Sequence, residues 1–174
     1  MTTFDETATS EQVIEAFAPR IKGRTFVITG AGKPSIARVV NLTSSAYLIT
    51  PFRFDDWNFS DGKTYDHWTR YGQAKTANVL CAYGLTKRLK SRGVTSAVTH
   101  PGYNNDTQLG SHLTWDDYAE IPAILKRNTG RDWEFESPRS KTQIHEPAEH
   151  ARDPVSVEKL WELSERLVGQ KFEY

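Results

Sequence analysis

Apolar residues along this chain fall into three short runs and four helix-like stretches, and their order predicts an α/β arrangement. Thr25-Phe26-Val27-Ile28-Thr29 is a compact β-branched and aromatic run that predicts a buried strand. Val39 to Leu42 predicts a second strand and Val94 to Thr99 a third. Between these two, from about Asp66 to Ser91, Ala77, Leu80, Cys81, Leu85 and Leu89 recur at three- or four-residue intervals. That spacing predicts one long helix, which Gly93 is placed to stop. Glu11 to Phe17 has helical spacing as far as Pro19, and Thr114 to Arg127 predicts a helix capped by Thr114 with Asp116 and Asp117 in its first turn. Pro154 to Val168 predicts a terminal helix whose stripe is Val157, Leu160, Trp161, Ser164 and Leu167.

The connections decide how these elements join. The long helix is a proper crossover, so the second and third strands are expected to lie parallel and adjacent. Only residues 30–37 separate the first strand from the second. A helical crossover needs about 10–12 residues or more, so these two strands are expected to pair as an antiparallel hairpin. Residues 46–65 read as an irregular loop, and 128–153 as a long polar one. The aromatics from Phe52 to Trp68 are read as core packing, with the lining of an apolar mouth as the alternative, and Trp115, Trp133 and Trp161 are assigned to packing. A chain of 174 residues fits one domain. It divides into a tail and helix at 1–20, a core at 21–110, a loop-rich part at 111–153 and a closing helix at 154–174.

Composition narrows the function classes. The 22 basic and 22 acidic residues cancel, which gives no electrostatic case for nucleic acid or an anionic membrane. The basic run Lys87-Arg88-Leu89-Lys90-Ser91-Arg92 reads as a solvated helix end facing the negative end of its dipole. The apolar fraction, 37%, predicts a thin core. One cysteine, Cys81, allows no internal disulfide and suits a reducing compartment. Met1 to Gln12 has no apolar signal core, and no run approaches 18 apolar residues, so a cytoplasmic location and no membrane span are expected. His145 and His150 are five apart with Pro147 between them, which predicts no metal site.

Tyr71-Gly72-Gln73-Ala74-Lys75 carries the chemistry. Four residues apart in a helix, the phenol and the ammonium share one face. A free tyrosine titrates near 10, so acid–base work near neutrality needs a shift of roughly 3 units, or about 4 kcal/mol. A fixed positive charge one turn away pushes in that direction.

Four blocks surround and include this pair: Thr29-Gly30-Ala31-Gly32 after the first strand, Asn41-Leu42-Thr43-Ser44-Ser45 after the second, Tyr71 to Lys75, and His100-Pro101-Gly102 after the third. In this order they resemble the short-chain dehydrogenase/reductase family. Asn78-Val79-Leu80 and the His-Pro-Gly turn look most like its retinol-dehydrogenase-like branch. The resemblance implies a reduced Rossmann-like, doubly wound fold with a mostly parallel sheet. It implies Ser44, with Ser45 as the alternative, holding a substrate oxygen while Tyr71 exchanges a proton and Lys75 assists. NADP or NAD is the implied cofactor, contacted by Gly30, Gly32, Tyr71, Lys75, Asn104 and Thr107. The implied reaction interconverts an alcohol and a carbonyl on an apolar small molecule.

The chain departs from the family in its nucleotide half. Where further glycines belong it has Pro34, Ser35, Ile36 and Ala37, and the strands and helices that follow the glycine turn in the family are missing. The expectation is an internally truncated member that lacks much of the nucleotide-binding half. Its alternative is a catalytically inactive remnant serving at most as a binding or dimerisation partner. A face of the sheet left uncovered by the missing crossover, carrying Phe26, Ile28 or Val40, is expected to make the isolated chain a homo-dimer, an aggregate or a poorly cooperative folder.

Overall fold

A computed structural model describes residues 28–29, 37–101, 113–132 and 146–173. Its centre is a unit of strand, long helix and strand. β1 (Ile28–Thr29), β2 (Ala37–Leu42) and β3 (Val94–Thr99) form a sheet in that order. β2 and β3 are parallel over their whole length, from Ala37 opposite Val94 to Leu42 opposite Thr99. β1 runs antiparallel to β2, with Ile28 opposite Val39 and Thr29 opposite Arg38. Both pairings are those the connection lengths predict.

Helix α1 (His67–Leu89) makes the crossover. Asp66 starts it: its carboxylate accepts from the backbone N–H groups of Trp68 and Thr69, satisfying two donors that the first turn would otherwise leave bare. Arg127 reaches the same carboxylate from another helix. A short 3-10 turn, Lys90–Arg92, follows, and Gly93 then adopts φ 75°, which lets the chain reverse into β3.

The burial of α1 differs from the single apolar stripe expected. Leu80, with the half-buried Ala77 and Cys81, does meet the terminal helix. The buried face is also wider than a stripe, extending around the helix from Leu80 to Gly72, Gln73, Thr76 and Val79. Small and polar residues widen it because they approach backbone there. α1 is therefore covered over a broad arc, and Leu80 and Val79 are almost wholly buried. Truncating a leucine in such a place costs about 2–5 kcal/mol.

Residues 46–65 are more ordered than the loop expected. Ser45–Ile49 and Phe54–Asp56 are 3-10 turns. Asp56 then gathers Arg53, the Ser60 hydroxyl (2.9 Å) and the Thr64 hydroxyl (2.8 Å). Those bonds hold Phe59, Ser60 and Asp61 at positive φ, and Phe59 is buried. Phe52 and Phe54 pack beside Leu80 under the terminal helix, as aromatic core.

The helix expected at 114–127 is two helices, α2 (Trp115–Ala119) and α3 (Ile121–Thr129). Thr114 caps α2 as its sequence promised, in a reciprocal box with Asp117. Pro122 lies in the first turn of α3, where its missing N–H costs nothing, so a new helix starts there. Ile124 of α3 packs on Ala46, Ile49 and Trp68. Trp115 is not core as expected: it stands 89% exposed.

The terminal helix α4 (Pro154–Val168) is capped by Asp153 and ended by Gly169 at φ 70°. It docks on α1 through Val157, Leu160 and Leu80. The basic end of α1 is not simply solvated. Lys87 and Arg88 both bind Glu158 of α4, at 2.8 and 2.6 Å, and the Arg88 guanidinium lies 4.2 Å from the centre of the Trp161 ring.

Within β3, Val94, Ser96 and Val98 are half-covered, whereas Thr95, Ala97 and Thr99 are exposed. The Thr86 hydroxyl of α1 accepts from the Ser96 N–H and donates to the Ser96 carbonyl, both at 3.1 Å. Of the residues expected on an uncovered sheet face, Val40 is half-buried. Phe26 and the side chain of Ile28 lie outside the described residues.

Candidate active site

Helix periodicity places Tyr71 and Lys75 on one face, and the structure brings them together: Lys75 Nζ stands 5.4 Å from the centre of the Tyr71 ring. Tyr71 is half-buried against Ala46, Ile49, Trp68 and Ile124, so its ring has a fixed floor. Lys75 is half-buried too, and burial pushes its pKa below the ordinary lysine value.

Ser44 sits where β2 ends and the Ser45–Ile49 turn begins. Its backbone is extended, and its Oγ accepts from the Ala46 N–H at 3.2 Å, capping the turn. An Oγ that accepts this bond keeps its own hydrogen to donate elsewhere. Ser45 is half-buried in the first residue of the turn.

The segment carrying Ser44 is fastened to the part of α1 that carries Tyr71 and Lys75. Thr43 Oγ1 donates to the Lys75 carbonyl at 3.0 Å. Asn78 Nδ2 donates to the Leu42 carbonyl at 2.8 Å. Thr76 Oγ1 lies 3.0 Å from the Tyr47 carbonyl and 2.8 Å from the Thr50 carbonyl. Gly72 permits the approach, since a Cβ there would stand 2.9 Å from the Ala46 carbonyl oxygen. The sequence singles out Ser44, Tyr71 and Lys75 as candidates but gives no role to Thr43, Gly72, Thr76 or Asn78. The signal was present: Gly72 and Thr76, one turn apart beside the Tyr–Lys face, form a small-residue strip that lets backbone come close.

From Tyr71 a line of aromatic rings runs outward. Tyr71 meets Trp68 edge-on, with centres 6.4 Å apart. Trp68 lies 5.3 Å from Tyr118, which in turn lies 6.4 Å from the exposed Trp115. The Trp68 Nε1–H donates to the Asp117 carbonyl at 2.7 Å, fixing α2 beside the start of α1.

Gly30, Gly32, Asn104 and Thr107 lie outside the described residues. The antiparallel pairing of β1 and β2 bears on the cofactor nonetheless. A pyrophosphate rests on the first turn of a helix that joins two parallel strands. β1 and β2 are not such a parallel pair, so they do not fit a dinucleotide's pyrophosphate. Among the described residues, no three of His, Cys, Asp or Glu cluster to hold a metal ion, and no helix is long and apolar enough to cross a membrane.

No family model matches the chain. Individual proteins do. It is 42% identical to retinol dehydrogenase 12 of Homo sapiens, over 79% of this chain and 47% of that protein. To the Mus musculus retinol dehydrogenase 12 it is 32% identical, with the same two shares, 79% and 47%. The chain belongs to the short-chain dehydrogenase/reductase family. A crystal structure of an uncharacterised protein from Mycobacterium paratuberculosis superposes with a TM-score of 0.53 at 26% identity. That match covers 79% of this chain and 52% of the other. This short-chain dehydrogenase/reductase spans about half the length of the curated relatives it matches, 47% of the mouse protein and 53% of an oxidoreductase from Streptomyces antibioticus. The fold is accordingly a partial Rossmann-like one.

Proposed function

We propose that this chain is an oxidoreductase of the short-chain dehydrogenase type that interconverts an alcohol and a carbonyl on an apolar small molecule. One observation carries the reading: the Lys75 ammonium lies over the Tyr71 ring, while Ser44 is fastened to the same helix with its hydroxyl hydrogen free to donate. In the carbonyl-reducing direction Tyr71 gives a proton to the substrate oxygen, and Ser44 hydrogen-bonds that oxygen as negative charge develops on it. Lys75 stabilises the charge left on the phenolic oxygen. Family membership implies a nicotinamide cofactor, NADP or NAD, as hydride partner. The aromatic line from Tyr71 to Trp115 favours an apolar substrate.

A second reading is favoured by the β1–β2 hairpin: an internally truncated, catalytically inactive member that acts as a binding or dimerisation partner. Titrating the purified chain with NADPH and NADH, following cofactor fluorescence, separates the two. Saturable micromolar binding, with turnover of an apolar aldehyde or ketone that Tyr71→Phe abolishes, supports the enzyme. No binding of either cofactor at millimolar concentration refutes it and leaves the remnant.

A further inference from the structure

The donors that α1 turns toward the strand exit are unusual in their direction. A threonine or asparagine inside a helix commonly bonds back to its own helix or points to water. Here Thr76 and Asn78 both reach across to backbone carbonyls of another segment. Thr76 Oγ1 lies 2.8 Å from the Thr50 carbonyl and 3.0 Å from the Tyr47 carbonyl, its one hydrogen shared between them. Asn78 Nδ2 is 2.8 Å from the Leu42 carbonyl. Thr76 is wholly buried, so without its hydroxyl those two carbonyls would lose a partner that water could not readily replace.

The three carbonyls bracket Ser44. Leu42 precedes it by two residues, and Tyr47 and Thr50 follow it by three and six. A return bond completes the frame, from Thr43 Oγ1 to the carbonyl of Lys75 itself. Between these anchors, Ser44 makes two turn-defining contacts: its Oγ accepts from the Ala46 N–H, and its carbonyl accepts from the Tyr47 N–H at 3.0 Å. Apolar contact alone would let this turn slide or rotate on the helix. Directional bonds on both sides of one residue fix its rotation as well as its distance.

We infer that Asn78 and Thr76 are positioning residues: they hold Ser44 against the Tyr71–Lys75 face of α1 before any ligand arrives. The inference rests on the reading of Ser44 as the donor to the substrate oxygen. A hydroxyl set in advance contributes to transition-state stabilisation without reorganising during the reaction, which a mobile loop serine could not do.

Amide hydrogen exchange on the chain without cofactor tests this at residue resolution. Thr76→Val and Asn78→Leu keep approximate volume but remove the donors. Each is expected to speed exchange at the Ala46 and Tyr47 amides on the order of tenfold beyond any change in mid-α4 amides. Thr76→Ser, which restores the hydroxyl, is expected to bring those amides back toward wild type. Should Thr76→Val fail to fold, Asn78→Leu, whose side chain is only half-buried, decides alone. Ala46 and Tyr47 rates that change only in step with α4 would overturn the inference. So would an active chain in which both variants keep the wild-type kcat, since positioning predicts a fall in kcat with KM for the carbonyl substrate little changed. A wild-type chain that is inert with NADPH and NADH overturns the reading of Ser44 instead, and exchange still decides whether Asn78 and Thr76 hold it in place.

Discussion

Replacing Gly72 by alanine sets two effects against each other, and the structure says which wins. In the middle of a helix, alanine is favoured over glycine by about 0.5–1 kcal/mol. The new methyl, however, would stand 2.9 Å from the Ala46 carbonyl oxygen, 3.1 Å from Thr50 Cγ2 and 3.2 Å from Ile49 Cβ. None of these is the free end of a long side chain. To relieve the contacts, α1 and the Ser45–Ile49 turn must part by a few tenths of an ångström, against the bonds from Thr76 and Thr43 that tie them together. Overpacking a well-filled site costs about 1–3 kcal/mol. The net expectation is a loss of roughly 1–2 kcal/mol, read as a lower urea midpoint with an unchanged slope. The same movement displaces the turn that Ser44 caps relative to α1, so on the proposed reading of Ser44 turnover should fall as well. A Gly72→Ala chain as stable as wild type, or more so, would refute the close approach at this residue.

Other expectations follow from the charges. Hydrogen bonds from Lys87 and Arg88 hold the Glu158 carboxyl below its ordinary value, so its contribution is present above pH 4.5 and is lost as pH falls through the lower folded value. Because the group is largely solvated, Glu158→Ala should cost only about 0.5–1 kcal/mol at pH 7, and progressively less as pH falls below 4.5, in parallel urea melts. Burial, with a smaller push from Arg131, lowers the pKa of His150 despite its 3.0 Å contact with the Tyr47 carbonyl. The unfolded chain therefore binds this proton more readily, and stability should decline as pH drops below 6.5. His150→Gln should flatten that decline in the window just below pH 6.5. Lys75, its pKa lowered by burial, is a charge the fold holds at some cost, and its contribution rises with pH in the window just below 10.5. Lys75→Met should thus leave the melting temperature unchanged or higher at pH 7, while cutting turnover by roughly 10²-fold or more. A large drop in melting temperature would instead make Lys75 structural.

What the sequence revealed, and what it hid, divides along local and tertiary causes. The limits of α1 and β3 were legible because Asp66 and Gly93 act on their immediate neighbours. Strand directions were legible from the lengths of the connections alone. The Tyr71–Lys75 face followed from helix geometry. Hidden were features made by contact between distant segments. Arg88 reads as a solvated helix end until α4 brings Glu158 and Trp161 to it. Gln73, a polar residue that no local pattern marks as core, is buried because it donates to the Trp57 carbonyl and accepts from the Arg53 N–H, 16 and 20 residues away. Trp115 reads as core because large rings usually are, and nothing local reveals that α2 turns it outward.

The frame around Ser44 also bears on how the chain folds. Its bonds join residues 26 to 36 apart along the chain, from Thr76–Thr50 to Asn78–Leu42. Closing a loop of that length costs about 3 kcal/mol in chain entropy, modest for a contact that joins two elements. α1 can begin forming from its own cap and then recruit the strand exit that precedes it, before β3 adds the register of the sheet. Nucleation on the β2–α1 junction would give mutations at Thr43, Gly72 and Thr76 high φ-values, slowing refolding. Mutations where α4 docks, such as Val157→Ala, would mainly speed unfolding.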